Sequence, residues 1–155
     1  MKIIFLDFDG VLNGIEYVKA NQNGGIVLDP SRMERLKQIV DATDAKIVLS
    51  TSWRSYWSSN RDECRSRGQE INMIFAKYRL EIYEKTPWMT DRDKEIISFL
   101  YDYPVEEFVI LDDRAVHTPS LALHQVLTLD SLGGLTDEDV TKAIDILKSN
   151  RQNAL

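Results

Sequence analysis

The stretch Ile3-Ile4-Phe5-Leu6-Asp7-Phe8-Asp9-Gly10 joins a short apolar run to two acids with one residue between them. A β-rich apolar run without alternation fits a strand covered on both faces, so residues 2–7 are read as a buried strand and the Asp-Gly pair as the turn that ends it. Asp is depleted in strands. On extended backbone, at about 3.3 Å per residue, Asp7 and Asp9 would lie about 7 Å apart on one face, close enough to repel in a water-poor site. Something must offset that repulsion.

Working outward, the segment IEYVKANQNGGIVL (15–28) places Asn23-Gly24 between two apolar-rich pieces, which predicts a β-hairpin flap after the first strand. In DPSRMERLKQIVDAT (29–43), Asp29 is the expected N-cap, Pro30 the first helical residue, and Met33, Leu36, Ile39 and Val40 the buried stripe. AKIVLSTSWR (45–54) reads as a second buried strand ending in a hydroxyl cluster. Residues 60–78 carry helical spacing through Ile71, Ile74 and Phe75, and a short third strand is expected over 80–83. TDRDKEIISFLYDY (90–103) predicts a helix with Thr90 as N-cap and Asp93 closing a capping-box-like start. EEFVILDD (106–113) is another apolar run that ends on paired acids. HQVLTLD (124–130) gives a last strand, and a final helix is capped by Thr136. Strands alternating with helices predict an α/β fold with a mainly parallel sheet. In such sheets ligands bind outside the carboxyl ends of the strands, where Asp7 and Asp9, Ser50 and Thr51, and Asp112 and Asp113 are all expected.

At 155 residues and 43% hydrophobic, the chain suits one globular domain over 1–150, with 151–155 a frayed tail. No long apolar segment is present to cross a bilayer, and residues 3–6 are too few and too quickly followed by acids for a signal peptide; a soluble, cytoplasmic protein without membrane partners is expected. The single cysteine, Cys64, excludes an internal disulfide framework, has no zinc-ligand spacing, and reads as a half-buried helix residue. A net charge of −6 argues against a general polyanion binder, although Arg54, Arg61, Arg65, Arg67, Lys77 and Arg79 form a modest basic run that reads as a solvated helix face.

Four carboxylates brought to one crevice would raise one another's pKa values unless a cation were present. A hard divalent ion with oxygen ligands, usually shared with a substrate phosphate, is the natural partner, and magnesium fits best.

DFDGVLN, IVLSTSWR, a basic residue at the start of the TDRDKEI helix, and FVILDD together resemble the four ordered motifs of the haloacid dehalogenase (HAD) superfamily. The nearest flavour is the HAD domain of Swiss-Army-knife RNA repair proteins, with its SSWR-like second motif and Arg-x-x-Glu-Ile helix start. The resemblance implies a HAD-like Rossmannoid three-layer sandwich, capless or minimally capped. It makes Asp7 the nucleophile that forms an aspartyl-phosphate and Asp9 the acid and then the base. Ser50 and the Thr51 N–H become phosphoryl donors, with Thr51 an alternative for the motif hydroxyl. Gly10 joins the phosphate-contacting positions. For the third motif, Arg92 fits the spacing and Lys94 the residue type; Arg92 is preferred. Asp112 would ligate magnesium together with Asp7 and Asp9, and Asp113 would ligate it or hold its water.

Trp53 and Arg54 admit two readings. They stack on a base and clamp a second phosphate, or they pack beneath the loop with Arg54 on a neighbouring carboxylate. His117 is either a rim residue or a surface histidine, and Trp88 gives no decisive signal. A site without a lid suits macromolecular phosphates, and the resemblance tilts this toward RNA or DNA ends. The expected function is a magnesium-dependent phosphatase. Alternatives are a phosphotransferase with the same intermediate, or a phosphate-end binding module without turnover.

Overall fold

The computed structural model describes residues 1–149; the frayed tail expected at 151–155 lies outside the described residues. Strands β1 (Lys2–Leu6), β2 (Lys46–Leu49), β3 (Ile82–Lys85), β4 (Glu107–Asp112) and β5 (Gln125–Leu127) form one sheet in the order β3-β2-β1-β4-β5. Every pairing is parallel, with Ile4 opposite Ile47 on one side and Val109 on the other. Parallel neighbours need crossover connections. These are built from α1 (Ile15–Ala20) and α2 (Pro30–Thr43), then α3 (Ser66–Lys77), α4 (Arg92–Asp102) and the short α5 (Pro119–Ala122), with α6 (Asp137–Lys148) following β5.

The period-2 alternation of strand side chains divides the core into two layers. Ile4, Leu6, Ile47, Leu49, Val109 and Leu111 face α2, α3 and α6, where Met33, Leu36, Ile71, Phe75, Ala143 and Leu147 are buried. Ile3, Phe5, Val48 and Ile110 face the other way onto Ile96 and Phe99 of α4 and Leu121 of α5. Phe5 meets Phe99 edge-on, with ring centroids 5.4 Å apart. The result is a three-layer α/β sandwich.

The sheet order reverses at β1: the chain runs outward through β2 and β3, then returns to place β4 and β5 on the opposite side. The carboxyl ends of β1 and β4 therefore flank the topological switch point, the position where open α/β sheets bind their ligands. Asp7 and Asp112 stand at those two ends.

Two caps follow the expected chemistry. Asp29 accepts the Ser31 N–H with Pro30 as the first helical residue, and Thr136 forms a capping box with Asp139. Elsewhere the structure corrects the reading. The hairpin flap does not form: residues 15–20 are α1, and the Asn-Gly segment is a loop. The Gly25 N–H bonds the Asn23 side chain, and other backbone groups of the segment bond residues elsewhere in the chain instead of across a turn. Glu70 of α3 accepts the Ile26 N–H, Arg67 donates to the Gly24 carbonyl, and Asn13 donates to the Val27 carbonyl. β1 ends at Leu6, one residue early, and β3 begins at Ile82. The stretch 60–78 opens as a separate turn of 3-10 helix, Arg61–Glu63, before α3, so buried Cys64 lies between helices and not on one. Asp91 and not Thr90 caps α4, accepting the Lys94 N–H. The basic run does not form one face, since Arg54 is buried and Arg67 pairs with Glu70. No helix among the described residues is long and apolar enough to cross a membrane.

Candidate active site

The Asp7 N–H still bonds the Leu111 carbonyl at 3.0 Å, so Asp7 is the last residue tied to the ladder. Beyond it the chain curls, with the Val11 and Leu12 N–H groups both donating to the Phe8 carbonyl. Asp9 and Asn13 meet in an isolated bridge. The two acids thus do not share the face of an extended strand. Asp7 is buried, with its carboxylate accepting the Phe8 N–H, whereas Asp9 is exposed and held by the Asn13 amide at 3.2 Å and the Trp53 indole N–H at 3.4 Å.

Across the switch point, carboxylate oxygens of Asp7, Asp112 and Asp113 lie within 4.8 Å of one another. Burial and the adjacent Asp112 charge push the Asp7 carboxyl from 3.8 up to about 7, against the opposing pull of Arg92. Burial and Asp112 likewise raise Asp113. This donor set fits a hard divalent cation, because clustered, desolvated carboxylates lose their mutual repulsion when they share one. The Asp9 carboxylate, which is exposed, is not one of the three that converge here.

Arg92, the first residue of α4, reaches into the cluster, donating to the Asp112 carboxylate and lying 3.7 Å from Asp7. Burial alone would lower its pKa, but the charges of Asp112 and Asp7 outweigh that and the net shift is upward. Lys94 points away, exposed beside Asp91 at 4.0 Å. Between the two candidates for the basic position, only Arg92 meets the acids.

Ser50 follows β2, its N–H bonded to the Leu6 carbonyl, and its hydroxyl is buried without a hydrogen-bond partner. A buried orphan hydroxyl is costly and asks for an explanation. Thr51 is already engaged: its hydroxyl accepts the Trp53 N–H and caps the 3-10 turn Ser52–Tyr56. Of the two hydroxyls, Ser50 is the one buried with no partner at all.

Two expected phosphate contacts have other work. The Gly10 N–H donates to the Asn13 carbonyl and side chain, and its carbonyl accepts the Thr128 hydroxyl. At φ +83° it admits Asp113, whose carboxylate would lie 2.3 Å from a Cβ placed there. Gly10 makes room for an acid, and its amide is not free for phosphate. Arg54, only 1% exposed, donates to the carbonyls of Thr51, Thr86 and Pro87 and pairs with buried Glu95. It is an internal clamp and not a phosphate contact. His117 is exposed, its backbone N–H donating to Asp93.

Sequence reasoning missed Asn13, which orients Asp9 and binds the Gly10 N–H, and Glu95, which anchors Arg54. Asn13 ends the quoted DFDGVLN, and an Asn three residues after a turn glycine is the signal for such a side-chain-to-backbone closure. Glu95 gave none, since an acid in the first turn of a helix reads as an ordinary dipole partner.

A depression of about 490 Å³ lies at the other end of β2 and β3 and contains none of these acids. A smaller cleft of about 250 Å³ is bounded by Arg92 and Asp112. Chemistry, not size, locates the site. Residues 3–140 match the family described as the HAD domain in Swiss Army Knife RNA repair proteins. No curated protein and no solved structure matches the chain.

Proposed function

The chain belongs to the family of HAD domains in Swiss Army Knife RNA repair proteins, and from that premise we propose that it is a magnesium-dependent phosphatase acting on the phosphorylated ends of polynucleotides. The family suggests a phosphatase-type hydrolase in an RNA repair setting. The observation that carries the reading is the unpartnered hydroxyl of Ser50, which follows β2 and whose N–H bonds the carbonyl of Leu6, the residue before Asp7. A phosphoryl oxygen accepting from Ser50 satisfies it.

Magnesium held by Asp7, Asp112 and Asp113 would supply the positive charge that lets a phosphate dianion approach a carboxylate. A carboxylate oxygen of Asp7 attacks phosphorus, and the bond to the leaving oxygen breaks as Asp9 gives that oxygen its proton. Water then attacks the phosphorus of the aspartyl-phosphate while Asp9 takes its proton; the bond to Asp7 breaks and inorganic phosphate leaves. The hydrogen bonds from Asn13 and Trp53 hold Asp9 in one orientation for both transfers. Ser50 and Arg92 stabilise the equatorial oxygens, where most of the protein's contribution to phosphoryl transfer lies.

The test is acid quenching of the protein during turnover of a 32P-end-labelled oligonucleotide with magnesium. Label on the Asp7 peptide, absent from Asp7→Asn, is expected. Turnover by the Asp7→Asn protein at the parent rate overturns the mechanism.

A further inference from the structure

The loop from β3 to α4 exposes two large apolar side chains, Trp88 at 59% and Met89 at 50%. It is nevertheless firmly held. The Arg54 guanidinium lies 3.7 Å from the centre of the Trp88 ring and donates to the Pro87 carbonyl, and Glu95 accepts the Met89 N–H while pairing with Arg54. A buried ion pair thus clamps the backbone on both sides of an exposed indole and covers part of it with a cation. Rigid aromatic surface loses little entropy on binding, which is the economical way to build a stacking platform.

The indole also borders the chemistry. Trp88, Met89 and Thr90 line the cleft of about 250 Å³ whose other walls include Arg92 and Asp112, with exposed Arg114 at its rim. The Arg114 side chain makes no hydrogen bond or ion pair among the described residues, and its charge acts on the neighbouring Asp113. An aromatic wall, an exposed cation and, of the acid cluster, Asp112 therefore bound one opening too small for an extended ligand. We propose that this cleft is the leaving-group subsite and that it takes a nucleobase stacked on Trp88, with Arg114 at the adjoining phosphodiester. The inference rests on the phosphatase reading above and deepens it: the leaving group is a nucleoside and not a sugar, a lipid or a phosphorylated side chain. Every base presents a π-face, so such a platform is tolerant of sequence.

The experiment compares the parent, Trp88→Ala and Trp88→Phe proteins on a phosphorylated RNA dinucleotide, a mononucleotide and glycerol phosphate, all with magnesium. For the two nucleotide substrates, Trp88→Ala is expected to lower kcat/KM about tenfold, mainly through KM, while Trp88→Phe stays within about threefold. Glycerol phosphate, which has no ring to stack, is expected to change less than about twofold in either variant. Equal losses on all three substrates, or no loss on the nucleotides, overturn the proposal. A parent preference for the dinucleotide identifies a strand end as the source of the base, and a preference for the mononucleotide a free nucleotide.

Failure of the phosphatase reading is told apart by calorimetric binding of the mononucleotide to the same three proteins. Affinity lost in Trp88→Ala and kept in Trp88→Phe sustains the base subsite without turnover. Equal affinity across the three removes it.

Discussion

Ser50 sets function against stability at a single atom. Its buried hydroxyl has no partner, so Ser50→Ala removes an unsatisfied group and should leave the melting temperature of the ligand-free protein unchanged or slightly higher. The same change should lower kcat/KM about 100-fold, the usual cost of one donor to a reacting oxyanion. A clear loss of stability would mean that Ser50 has a structural partner after all. Asp7 gives a pH prediction with a definite sign. Its folded pKa lies near 7 against an ordinary 3.8, because burial and then Asp112 disfavour its charge. The folded state binds that proton more tightly than the unfolded chain. This contribution to stability is full below pH 3.8 and lost as pH rises through about 7. Without magnesium, Asp7→Asn should therefore gain stability relative to the parent between those limits, as followed by melting temperature. Magnesium at pH 8 should stabilise the parent and not the variant. Asp7, Asp112, Asp113 and Ser50 were legible because a polar group ending a buried strand has few structural excuses. Of the two readings that Arg54 admits, the structure shows the one that places it on a neighbouring carboxylate, but neither the identity of that acid, Glu95, nor the approach of Asp113 to Gly10 leaves a mark on local sequence.

α4 joins the two halves of the site. Its first residue, Arg92, meets Asp7 and Asp112. Asp93 turns the other way and accepts the His117 and Thr118 N–H groups and the Thr118 hydroxyl, holding the loop that follows Asp112 and Asp113. Burial would raise the Asp93 pKa, but these three bonds lower it on balance. The carboxylate thus adds stability above its ordinary range, and this is lost as pH falls through its lower folded value, below 3.8. Asp93→Ala should cost about 1–3 kcal/mol at neutral pH by denaturant titration, with the difference from the parent shrinking in acid. At the clamp, Glu95→Gln leaves Arg54 buried without its counter-charge and should cost about 3–5 kcal/mol, again by denaturant titration. At this scale the sequence told element type better than boundaries. Repeated apolar positions mark α2, α3 and α4 wherever they begin. Asn23-Gly24 signalled a hairpin only because local turn chemistry is silent about Glu70 and Arg67, the distant groups that take its backbone bonds.

The whole molecule turns on the order of its strands. Alternating strands and helices disclosed a parallel sheet, but not that β1 and β4 would be neighbours with the switch point between them. That adjacency brings acids more than a hundred residues apart within one ion's reach. It came from the family resemblance and from the chemical need to relieve clustered charge. The sheet also sets the limits of the site, since among the described residues the connections around it are short helices and loops and no inserted sheet or helical bundle covers it. The central claim is that this open cluster hydrolyses phosphate ends through Asp7. The most direct measurement is phosphate release from a 32P-end-labelled RNA oligonucleotide by the parent and Asp7→Asn proteins, with magnesium and with EDTA. The account predicts release by the parent alone, abolished by EDTA and lowered about 1,000-fold or more by the substitution. Equal release by both proteins, or none by the parent with magnesium, would contradict it.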